Sequence, residues 1–207
     1  LGCRHEDQGA ISEASALFEQ VLEKDPAHHE ARRRLVDCHL RSGDLTAALR
    51  DSQPLTELYL ETRDTGPAID LYRRLTQADP RSLDLRRRLL EFYEMAGRHE
   101  DVLEQLLVLA DLHEASGRER EAVQVLQRAL EVAPTRDDLH YRLARLYDEK
   151  LGSLPGALNE FRRVFELNPG HAEAMDRYAR LLMEQRKARE AAEALDRLVE
   201  VQPEAGQ

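Results

Sequence analysis

Five prolines return behind the same chemistry: Pro26, Pro80, Pro134, Pro169 and Pro203 each follow an Ala by 12 residues and a large apolar side chain by 8. Their separations are 54, 54, 35 and 34 residues, and Pro54, Pro67 and Pro155 stand outside the register. A period of this length marks stacked helical units, each too small to bury its apolar face without a neighbour. Such a stack needs no central core, so a length of 207 residues does not count domains. It also presents long faces, which points to binding before catalysis.

Aromatic residues make up only 5% of the chain and Trp is absent, while Leu, Ala, Glu and Arg dominate. That is the make-up of packed helices, and no strands are expected. The net charge of −10 repels phosphate backbones and anionic membrane surfaces, which argues against a nucleic-acid partner. Cys3 and Cys38 are too few for a disulfide framework. No apolar run approaches the roughly 20 residues that span a bilayer, so no membrane insertion is expected. The chain opens at Leu1, partway through a repeat, and reads as a fragment of a longer array placed in the cytoplasm. Leu1-Gly2-Cys3 also resembles a lipoprotein processing site, which would make it a periplasmic lipoprotein. The repeat register already asks for a large and then a small residue at those two positions.

Counting back from the prolines, Ala14, Ala48, Ala68, Val102, Ala122, Ala157 and Ala191 fall where two helices approach most closely. Four residues later come Phe18, Tyr72, Leu106, Leu126, Phe161 and Leu195, with Ser52 the exception. Gly9, Gly43, Gly97, Gly117 and Gly152 are placed at the turns, where a positive φ ends a helix cheaply. Leu85, Leu89, Phe92 and Tyr93 show the i, i+4, i+7 spacing of one buried helix face.

On these residues the chain resembles the tetratricopeptide repeat family, with Leu143, Ala144, Tyr147, Gly152, Ala157, Phe161, Val164 and Pro169 carrying nearly the whole pattern. One extra residue is placed in the turn between Leu151 and Pro155. Arg32, Arg86 and His140 depart from the family by standing at its opening large position, and Arg186 stands where the last turn would have Gly. The resemblance implies an all-α, right-handed α-solenoid of stacked helix-turn-helix repeats with about 11–12 helices. Residues 1–207 then form a single solenoid: a partial repeat over 1–27, long units over 28–81 and 82–135, and repeats over 136–170 and 171–204.

Each long unit needs three helices. Arg32-Arg33-Arg34-Leu35 and Arg86-Arg87-Arg88-Leu89 open them 54 residues apart. An odd helix count swaps inner and outer layers, so a local change in superhelical path is expected between roughly residues 28 and 134. Asp64-Thr65-Gly66 is read as the second turn of the first unit. Pro54 after Ser52 admits a break in its middle helix.

No catalytic or metal pattern fits. His28-His29, His99-Glu100 and His113-Glu114 lack a second His four residues on. Cys3, His5, Cys38 and His39 could converge, but His5, His39 and His113 share one register position, normally Tyr, and read as buried replacements for it. There is no phosphate loop and no nucleophile elbow. No enzyme, cofactor or metal is therefore expected.

The resemblance places Arg33, Asp37, Arg87, Glu91, Tyr141, Arg142, Arg145, Arg177 and Arg180 on a concave binding face. Arg33–Asp37 and Arg87–Glu91 also have the spacing of intrahelical ion pairs. The Lys and Asn with which some tetratricopeptide domains hold a chaperone's C-terminal carboxylate are missing from these sites. The expected partner is another protein, a peptide or a folded domain, and the patch Tyr141, Arg142, Arg145, Arg177 and Arg180 suits an acidic peptide. The resemblance extends to bacterial repeat proteins that recruit small GTPases or assemble cell-surface machines. An accessory segment of a multidomain enzyme and a lipid-anchored assembly factor are the alternatives.

Overall fold

The computed structural model describes the backbone of residues 2–201 and the side chains of residues 9–196. Those residues form eleven helices and no strand: α1 (Gly2–Lys24), α2 (His29–Ser42), α3 (Leu45–Thr62), α4 (Thr65–Ala78), α5 (Leu83–Met95), α6 (His99–Ala115), α7 (Glu119–Val132), α8 (Asp137–Arg145), α9 (Leu154–Leu167), α10 (Ala172–Glu184) and α11 (Ala188–Val201). α8 continues as a π-helical turn over Leu146–Lys150. The chain divides into two compact units, residues 1–105 and 106–207, at a boundary inside α6.

Within the first unit each helix packs on the next in sequence, from α1 to α5, and α2 also touches α4 along one edge. In the second, α7 packs on α8, α8 on α9, α9 on α10 and α10 on α11. Short polar caps start several helices. Asp44 accepts from the Ala47 N–H at 2.9 Å and Ser82 from Leu85 at 3.4 Å. His28 and His171 cap α2 and α10 in the same way, each ring Nδ1 accepting from the N–H three residues on, at 3.1 and 3.3 Å. Two of the eight histidines are thereby explained as helix starters.

Gly43, Gly97, Gly117 and Gly152 take the left-handed conformation expected of them, and Arg186 takes it at φ 62° in place of Gly. Gly9 does not. α1 runs unbroken through it, and the register shows why: Ala10 stands where Asp44 caps α3, and Ala cannot accept the freed N–H groups of a new helix. At the second turn of the first long unit the left-handed residue is Arg63, at φ 53°, while Gly66 lies within α4. α3 also continues through Pro54 without the break that Ser52-Pro54 admits.

The extra residue before Pro155 lengthens the end of α8 rather than the turn. The Leu151 N–H reaches the Leu146 carbonyl at 3.0 Å, a five-residue span that swallows one residue as a π turn. Asp148 and Glu149 are thereby carried on a widened turn.

The register alanines Ala48, Ala68, Ala122 and Ala157 are fully buried. Tyr72, Leu106, Leu126 and Phe161 are buried four residues after the close contacts, and Ser52 is buried too. The hydroxyl of Tyr72 meets that of Thr56 at 2.9 Å, and its ring lies 5.4 Å from Phe92. Leu195 differs, being 41% exposed on α11, which packs on α10.

Candidate functional site

The residues singled out on α2 and α5 do not form one site. Arg33 binds Glu30 at 2.9 Å instead of Asp37, and Asp37 pairs with Arg74 of α4. Arg87 lies 3.6 Å from Asp84, and Glu91 pairs with Arg88 at 2.6 Å. Neither i, i+4 pair forms, because each carboxylate has a better-placed guanidinium. α3 and α4 come between α2 and α5 in the stack, so the four residues sit on two helices that do not neighbour each other in sequence.

The second unit gathers the rest. On α8, Tyr141 rests half-buried 6.1 Å from the Phe161 ring and 4.5 Å from His171 at the start of α10. Arg142 reaches back to α6, donating to Glu114 at 2.7 Å and Asp111 at 2.5 Å. Arg145 makes a two-pronged contact with Glu149 of the π turn, at 2.8 and 3.0 Å. Arg177 of α10 grips Asp148 of the same turn with both prongs, and Arg180 pairs with Asp176 at 2.8 Å. The π turn is therefore the bracket that ties α8 to α10, a role the sequence carried only as one surplus residue.

Tyr141, Arg142, Arg145, Leu146, Glu149 and Lys150 line a recess of about 170 Å³, with Glu114 at its edge. Every arginine of the patch already has a carboxylate. The surface is consequently mixed in charge, not the cationic face that an acidic peptide would need. Hydrogen bonding to Arg145 holds the Glu149 carboxyl below its usual range, and Glu149 in turn raises Arg145. Burial, then the Glu173 carboxylate, pushes Tyr141 up from 10 to about 12. A raised value means that the neutral phenol is favoured in the folded chain. Its contribution is complete below about pH 10 and is lost as pH rises towards about 12. In an alkaline absorbance titration near 295 nm, one tyrosine should ionise about two pH units later than the free phenol, and Tyr141→Phe should remove that late step.

Among the described residues no three His, Cys, Asp or Glu side chains converge as metal ligands. Cys38 is buried, and Cys3 and His5 lie outside the described side chains. His39 sits 3.1 Å from Asp51, which Arg50 also holds, and His113 is 2% exposed, both at the position expected for Tyr.

The three departures at the family's opening position share a function that the sequence did not suggest. Each is six residues after a register proline and reaches back to that proline's carbonyl: Arg32 to Pro26 at 2.8 Å, Arg86 to Pro80 at 3.0 Å and His140 to Pro134 at 3.3 Å. Arg86 also donates to Gln105 at 3.0 Å, where His140 meets Glu160 at 2.7 Å. A groove opens beside each of the last two latches, of about 410 Å³ next to Arg86 and 470 Å³ next to His140. The 54-residue period would have located them, since Arg73, Gln77, Pro80 and Arg86 of the first groove correspond to Gln127, Glu131, Pro134 and His140 of the second.

Consecutive helical hairpins with small residues at each crossing define a helical-repeat protein. The tetratricopeptide repeat pattern matches residues 6–50 and 149–207, and a second form of it matches residues 103–146. The chain belongs to the tetratricopeptide repeat family, whose members generally mediate protein–protein interaction and are typically non-catalytic. No curated protein matches it. Among solved structures it is similar to MamA, at 17% identity over 97% of this chain and 93% of that one, with a TM-score of 0.44. It is also similar to YrrB, described as a TPR protein with an unusual peptide-binding site, at 17% identity, 90% and 93% coverage and a TM-score of 0.42. Human IFIT1, solved as a dimer with m7Gppp-AAAA, matches at 21% identity, covering 91% of this chain and 45% of that one, with a TM-score of 0.40. These superpositions are too loose to transfer a ligand. No helix among the described residues is long and apolar enough to cross a membrane.

Proposed function

We propose that this chain is a protein-binding scaffold that holds a peptide, or a segment of a folded partner, against the face shared by α8, its π turn and α10. The supporting observation is the recess beside Tyr141 and Leu146, lined by Arg142 and Arg145, which Glu114, Asp111 and Glu149 already hold in place, with Arg177 of α10 held by Asp148 of the π turn. Ion pairs of this kind order the guanidinium groups before a partner arrives, which lowers the entropic cost of binding. The solvent-exposed Arg180–Asp176 pair is worth little to the fold and is free to exchange its partner. A bound segment of mixed charge with one apolar or aromatic side chain matches this surface, the apolar group lying on Tyr141 and the charges replacing existing pairs.

Affinity capture with the purified chain, followed by measurement on the Arg145→Glu, Arg180→Glu double variant, tests the assignment. Capture of the partner should fall by at least about tenfold, since two reversed charges at an interface each cost about 1 kcal/mol or more. Far-ultraviolet circular dichroism should not change. Undiminished capture would place the binding face elsewhere.

A further inference from the structure

The groove between α4, α5 and the start of α6 belongs to the first unit and takes no part in the face described above. Its walls carry two guanidinium groups, Arg73 and Arg86, and among the described residues neither is paired with a carboxylate. In a chain with 40 acidic and 30 basic residues, Arg33, Arg88 and Arg145 by contrast each hold a carboxylate. Arg86 is satisfied only by neutral acceptors, the Pro80 carbonyl at 3.0 Å and the Gln105 amide oxygen at 3.0 Å. A guanidinium has five N–H groups, so donors remain for a ligand.

Gln105 is decisive. It is 6% exposed, and its oxygen is committed to Arg86. At the corresponding place beside the second groove stands Glu160, 2.7 Å from His140, and Gln127 replaces Arg73. The later groove therefore sets a carboxylate against its latch side chain, with Arg163, Glu131 and Glu166 also in its lining. The earlier groove has kept both cations and lost that acid, leaving Glu104 at its rim as the one carboxylate that lines it.

We propose that the groove beside Arg73 and Arg86 is a second binding site, specific for a carboxylate side chain of an acidic protein segment. The carboxylate accepts from the remaining donors of both arginines, Arg73 also meeting the Tyr93 hydroxyl, while the Leu89 side chain, the Tyr93 ring and Pro80 line the groove. A nucleic-acid strand is the disfavoured occupant. The molecule's net charge of −10 repels a long phosphate backbone, whereas a short acidic segment needs only the local field of the groove.

Fluorescence anisotropy of labelled hexaglutamate at low ionic strength, with labelled oligothymidylate as the competing class, tests this on the whole chain. Hexaglutamate should bind, and Arg73→Gln should weaken it about tenfold, the usual worth of one charge-assisted contact. Glu104→Gln should strengthen it several-fold by removing the one opposing charge. Gln105→Glu, which copies the neutralised groove, should abolish it without disturbing the latch to Pro80. The Arg145→Glu, Arg180→Glu double variant should bind hexaglutamate as the parent does. Absence of hexaglutamate binding overturns the proposal, as does equal affinity in Arg73→Gln, a loss in the Arg145→Glu, Arg180→Glu variant, or tighter binding of oligothymidylate than of the peptide.

Discussion

Phe161→Ala should lower the stability of the second unit by about 3–5 kcal/mol, a large part of what a domain of this size possesses. Phe161 is 1% exposed and stands at the centre of the cluster formed by Ala144, Ala157, Val164, Ala174 and Leu181, drawn from α8, α9 and α10. Three of the five other buried members are alanines, whose short side chains cannot swing in to fill the space. The same vacancy would release Tyr141, whose ring lies 6.1 Å away, so the proposed binding face should loosen together with the core. Urea unfolding followed by circular dichroism gives the magnitude. Amide exchange gives the place: protection should fall most in α8, α9 and α10, because a repeat transmits stability chiefly to the helices it touches. Phe161→Leu, which leaves most of the volume filled, should cost clearly less. Similar losses for the two variants would mean that the site collapses around the deletion and that the alanine crossings are not rigid.

The feature that makes Phe161 predictable was legible before any coordinates. An Ala four residues before a large side chain and twelve before a proline is a packing instruction, and Ala157, Phe161 and Pro169 carry it out. The turn residues were legible for a similar reason, since a positive φ leaves few choices, and Gly43, Gly97, Gly117 and Gly152 all adopt one. Gly9 shows where that logic stops. A glycine permits a turn, but the new helix also needs a cap, and Ala10 offers none.

Long charged side chains were the least legible. Asp37 has Arg33 four residues before it, yet it pairs with Arg74, from a helix that the local sequence cannot bring into view. Arg87 and Glu91 likewise separate, to Asp84 and Arg88. Such pairs differ by a fraction of a kcal/mol, so the neighbouring helix decides. Tyr141, Arg142 and Arg145 do come together on one surface, and Arg177 joins them, but through Asp148 on a turn whose π form has no sequence marker beyond a surplus residue. The Arg73 and Arg86 groove was within reach of the 54-residue period, had the two grooves been compared position by position.

Gly156→Leu is the second large loss to expect, about 1–3 kcal/mol or more, and its cause is a single collision. A Cβ built on Gly156 would lie 2.8 Å from Cγ of Tyr147 and within 3.0 Å of two further ring carbons. Contacts that short oblige one partner to move, and here both are held. Gly156 is in the first turn of α9. Tyr147 sits inside the π turn, its carbonyl accepting from the Ser153 N–H at 2.8 Å and its hydroxyl from the Gln127 side chain at 3.1 Å. Backbone conformation at Gly156 is ordinary, so Gly156→Ala should also be destabilising in spite of the better helix propensity of Ala. The sign separates collision from propensity. Without the collision Gly156→Ala would gain up to about 1 kcal/mol. Combining Gly156→Ala with Tyr147→Leu should recover part of the loss, a non-additive result of at least about 0.5 kcal/mol that a double-mutant cycle in urea would read directly. Strict additivity would show that Gly156 and Tyr147 do not press on each other. The α8–α9 hairpin would then owe its geometry to the π turn alone.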